Sequence, residues 1–124
     1  MKKYLGLVLM TLIGLSVQRL SAQSAVAVGS NGMYGYAYRE ESQGAAVFHA
    51  LQACRAAGGV NIHIVDSTFS FGFGAVAYWR GPGGRWVIGC SLGMANRYEA
   101  IRRSIDECLM RGAFDPHIVA QWVD

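Results

Sequence analysis

Ser42 to Cys54, S-Q-G-A-A-V-F-H-A-L-Q-A-C, is written a second time as Asn96 to Cys108, N-R-Y-E-A-I-R-R-S-I-D-E-C. An offset of fifty-four positions relates Ala46 to Ala100, Leu51 to Ile105 and Cys54 to Cys108. The register runs on past this stretch, because His63-Ile64-Val65 returns as His117-Ile118-Val119. A shared offset across a helix and the strand after it marks a duplicated supersecondary unit. A chain of this kind folds as two like halves.

Each half reads β-β-α-β. Ala25–Val28 is a short apolar strand, Gly29–Gly32 a hairpin turn with Asn-Gly at its tip, and Met33–Tyr38 a period-two partner strand. Ser42 is an N-cap, Gly58-Gly59 ends the helix, and Val60–Val65 is the next strand. The plan restarts at Gly74–Ala77, turns at Gly81-Pro82-Gly83-Gly84, and returns along Arg85–Cys90. A helix from Met94 or Asn96 to Arg111 and a strand over Phe114–Trp122 complete it, with Pro116 placing that strand at an edge. Phe69, Phe71 and Phe73 alternate across the link between halves, which reads as continuing strand. The first repeat covers about 24–65 and the second about 73–122. The expected fold is α+β: two β-β-α-β repeats forming one mostly antiparallel sheet, both helices packed on one face.

The N-terminus reads as a signal peptide over residues 1–23. Met1-Lys2-Lys3 is basic, Tyr4–Val17 carries no charge, and a polar stretch with small residues follows. Fourteen apolar residues fall short of the ~20 that a spanning helix needs. The expectation is a secreted or periplasmic protein with no membrane insertion of the mature chain. The formal net charge of +3 then belongs to Lys2, Lys3 and Arg19, and the remainder balances eight arginines against eight acidic residues. A neutral domain has no long-range field for polyanions, so nucleic acid is excluded as a partner. The expected partner is a protein or a cell-envelope component.

Three cysteines in an oxidising compartment allow one internal bridge. Cys90 corresponds to Tyr36, on the large-residue face of its strand, and that face is expected under the following helix. Cys90–Cys108 is therefore the preferred disulfide, worth ~3 kcal/mol on the chain-entropy estimate. Cys54–Cys108 is the rival.

The glycine-rich hairpins followed by S-x-x-x-A-x-x-x-A-L-x-x-C carry a resemblance. Gly32, Gly35, Ser42, Ala46, Ala50, Leu51 and Cys54 in one half, and Gly84, Gly89, Asn96, Ala100, Ser104, Ile105 and Cys108 in the other, resemble the bacterial family called domain of unknown function 4189. The resemblance implies a secreted α+β domain and brings no activity with it. Val60 or Asn61, and Phe73, stand where that family tends to carry further cysteines.

Two constellations bear on function. His63 and His117 hold the same place in their repeats, and with Asp115 they offer metal ligands if the repeats bring them together. The same pattern arises from two strand histidines inherited by duplication. Tyrosines, tryptophans and arginines are the residue types that anchor protein interfaces, and Trp79, Arg80, Arg85 and Trp86 are the candidates for such a surface. His49 and Cys54 sit ~140° apart around a helix and make no nucleophile pair. No catalytic residue and no cofactor is indicated. The leading expectation is a small exported non-catalytic binding module, in its pointed form an inhibitor presenting the Gly81–Gly84 hairpin to an extracellular or periplasmic enzyme. The alternative is a metal-assisted or hydrolytic enzyme centred on His63 and His117.

Overall fold

The computed structural model describes residues 23–68 and 71–124. The leader, apart from Gln23, and the linker residue Phe69 lie outside them. The elements are β1 (Gln23–Val28), β2 (Tyr34–Glu40), α1 (Gln43–Ala56), β3 (His63–Thr68), β4 (Phe73–Arg80), a 3-10 turn (Pro82–Gly84), β5 (Trp86–Met94), α2 (Arg97–Met110) and β6 (His117–Val123).

The class is α+β and the β-β-α-β plan occurs twice. The strands, however, divide between two antiparallel sheets, ordered β2-β1-β3 and β5-β4-β6. Residues of both sheets share one core, including Val26, Val76, Ile88 and Trp122. Helix α1 covers the other face of the first sheet and α2 that of the second. The single sheet with both helices on one face is thus corrected to four layers, helix–sheet–sheet–helix. The central strands explain why. Along β1, Ala25 and Ala27 go to the helix while Val26 and Val28 go to the opposing sheet. A strand that is apolar on both faces needs cover on both.

Small side chains let the helices settle. A Cβ on Gly35 would lie 2.2 Å from the Cys54 backbone nitrogen, and one on Gly89 would lie 2.3 Å from the Ser104 carbonyl oxygen. These glycines hold equivalent places in the repeats. The helix therefore rests on the small-residue face of β2 or β5, and the tyrosine face turns to the other sheet.

The repeats match in detail. Ser42 and Asn96 cap their helices by accepting the N–H of Ala45 and Glu99, and each helix has fourteen residues. Strand pairing is irregular at Val26/Ala27 in one repeat and at Val76/Ala77 in the other. Cys54 donates its thiol to Met33 O at 3.4 Å, and Cys108 donates to Val87 O at 3.5 Å.

Strand β3 starts at His63, later than the expected Val60. Val60 is occupied with the first hairpin: its carbonyl accepts Ser30 N–H at 2.7 Å and its N–H donates to Asn31 Oδ1. Asn61 then adopts a left-handed φ of 50°. Phe71 also falls outside a strand, with β4 beginning at Phe73.

Candidate functional site

In the sandwich β3 faces β5 and β2 faces β6. The repeated β-β-α-β plan makes these two sides equivalent in position, and they are built differently. On the β3–β5 side the inward residues of β5 are Ile88, Cys90 and Leu92, only 2–7% exposed. Their counterparts on β2 are Tyr34, Tyr36 and Tyr38. Tyr36 and Tyr38 remain 37% and 41% exposed. One side is closed by compact side chains and the other is an open, aromatic-lined groove.

The groove rings are ordered against one another. Trp122 of β6 stacks on Tyr36 at 5.1 Å with planes 3° apart, and on Tyr38 at 5.7 Å. The indole lies across Gly74, where a Cβ would come within 2.4 Å of it. Tyr34 meets Tyr78 at 5.9 Å. Burial pushes the Tyr34 phenol up, with Tyr36 and Tyr78 adding to the effect, so it stays protonated and able to donate.

Three hollows open along this side. Met33, Tyr34, Tyr78 and Val119 contribute to an apolar one of about 450 Å³. Tyr78 and Val119 also border a second, of about 370 Å³, with Trp79, Arg80, Asp115 and His117. A third, of about 220 Å³, lies at the far end among Tyr38, Arg39, Arg97 and Gln121. Arg39 ties the strands there, donating Nε–H to Val123 O at 2.9 Å and its backbone N–H to Asp124 Oδ1 at 2.8 Å. Its guanidinium stands 5.9 Å from the Tyr38 ring centre. Burial raises the Asp124 carboxyl, against the lowering effect of Arg39 and Ser24.

The four expected binding residues do not form one patch. Arg80 pairs with Trp86 across β4 and β5, whereas Trp79 projects to the helix side and meets Phe114 edge-on at 5.8 Å. Trp86 is half-buried against the Asn31-Gly32 turn, where a Cβ on Gly32 would come within 2.7 Å of the indole. It supports a turn. Arg85 reaches Gly112 just beyond α2, where a cation complements the helix C-terminus. Only Trp79 and Arg80 border the groove hollows.

The histidines are likewise separated. His63 pairs with Val28 in one sheet and His117 with Tyr78 in the other, on opposite sides of the sandwich. His117 Nε2 lies 3.4 Å from Asp115 Oδ2, both side chains well exposed. Among the described residues no three His, Cys, Asp or Glu side chains gather as a metal site. Their equivalent places in the two repeats put them in separate sheets.

The Cys90–Cys108 bridge is also corrected. Cys90 lies in the core between the sheets and Cys108 under α2, on the other face of the same sheet. All three thiols are free and buried. Burial raises each, and Cys90 is pushed up to about 12, with Glu107 and Asp66 contributing. Protonated and enclosed, they are poor nucleophiles.

Sequence reasoning missed Tyr36, Tyr38, Arg39, Arg97 and Trp122 as a group. The available signal was the replacement of three tyrosines by Ile88, Cys90 and Leu92 at equivalent positions. Comparison with known proteins finds no matching family model, no matching curated protein and no matching solved structure. Among the described residues no helix is long and apolar enough to cross a membrane.

Proposed function

We propose that the chain is an exported, non-catalytic binding module that engages a protein or envelope component through the β2–β6 groove. The observation that carries this is the difference between two sides equivalent in position. The side with Ile88, Cys90 and Leu92 is closed and buries its apolar surface. The half-exposed tyrosines opposite forgo burial worth roughly 25 cal/mol per Å² of apolar surface. Aromatic and arginine side chains around a concavity are the usual anchors of recognition.

Export rests on the leader-like N-terminus, and the resemblance to the domain of unknown function 4189 belongs to the same proposal. The inhibitor form has a separate element to use, the exposed Pro82–Gly84 turn beside the Arg80 end of the groove.

A photo-crosslinking side chain at position 38, expressed in the native host, tests the reading against the same group at the exposed helix position Tyr98. A discrete adduct from position 38 and none from Tyr98 is expected. Equal labelling from both, or none from either, would contradict it.

A further inference from the structure

The two ends of the groove differ in chemistry. One holds the apolar hollow of Met33, Tyr34, Tyr78 and Val119. At the other, Arg39 and Arg97 border the hollow beside Tyr38. The ion pairs along α2 and its C-cap join Arg102, Arg103 and Arg111 to Asp106, Glu99 and Glu107 respectively and leave Arg97 outside them. Asp124 accepts the Arg39 backbone N–H through Oδ1, and among the described residues no ion pair engages the Arg97 guanidinium. Tyr34 and Tyr38 are four strand residues apart, about 14 Å at the usual rise.

We infer that the groove takes an extended segment of a partner protein, with an apolar side chain in the Tyr34–Tyr78 hollow and a carboxylate about four residues away at Arg97 and Arg39. An extended chain covers the distance between the hollows in four residues and turns alternate side chains to the same face. Guanidinium forks match a carboxylate in two parallel hydrogen bonds. The walls are β2 and β6, edge strands of separate sheets. They form a slot suited to a single chain more than to a broad convex surface. The near-balance of charge in the domain leaves local anchors, and no general field, to choose the ligand.

This rests on the groove being the binding surface, and the test separates the two claims. A random peptide library displayed on phage is panned against the protein purified as the cell delivers it. Enriched peptides are then synthesised and titrated against wild type, Arg97→Glu, Tyr36→Ala and Tyr38→Ala. The expected enrichment pairs an apolar residue with Asp or Glu three to five positions away. Arg97→Glu should weaken binding at least tenfold, and peptides with Lys in place of the acid should recover on that variant. If the tyrosine variants lose binding and Arg97→Glu does not, the acidic anchor is overturned and the groove stands. Binding indifferent to all three variants overturns both. Recovery of no peptide, with polygalacturonate bound instead, overturns the protein segment in favour of a glycan.

Discussion

At the residue scale, the three cysteines show how burial sets chemistry. Cys54 and Cys108 each give their thiol hydrogen to a backbone carbonyl beneath a helix, and Cys90 sits between the sheets. Native protein should therefore resist alkylation at pH 8, while denatured protein takes three equivalents. Intact-mass measurement checks this, and two protected thiols with a two-dalton deficit would show a bridge. The Cys90 pKa near 12 lies above the ordinary 9.0, so the folded chain holds that proton more tightly. The stability this contributes is complete below pH 9 and is lost as pH rises through 12. Denaturant unfolding should show the decline over that window, with a shallower slope for Cys90→Ala.

At the element scale, the helices depend on two glycines. Gly35→Ala or Gly89→Ala drives a methyl into helix backbone atoms that have no rotamer to yield, costing ~3 kcal/mol or more. Gly44 in α1 has open space around it, and Gly44→Ala should stabilise by about 0.5–1 kcal/mol. Thermal melts of the three variants compare these effects directly. The same glycines explain what could be read from the sequence. Ala46, Ala50 and Cys54, with Ala100, Ser104 and Cys108, announced two like helices and their buried stripes. Which strand face those stripes meet was not legible from alternation, because Tyr-Gly-Tyr-Ala-Tyr offers a large face and a small one. Size alone favours the large face for the helix. A helix lying this close accepts only the small face, and the disulfide expectation failed with the face assignment.

At the scale of the whole molecule, two equivalent sides have reached different ends. Trp122 joins the sheets on the open side, where it is 7% exposed beneath two half-exposed tyrosines. Trp122→Ala should destabilise by about 3–5 kcal/mol, whereas Tyr38→Ala, already near solvent, should cost much less. Urea unfolding of the two variants tests that division between support and contact surface. The groove itself escaped sequence reasoning because β2 and β6 belong to different repeats, and the offset between repeats says nothing of how their sheets stack.

The central claim is that the tyrosine face of β2 meets the opposite sheet and not its own helix. Aromatic NOE spectroscopy in solution measures this most directly. Cross-peaks from the Trp122 indole to the rings of Tyr36 and Tyr38 are expected, with none from those rings to the Ala50 methyl. Tyrosine cross-peaks to Ala50 and Cys54, with none to Trp122, would contradict the account.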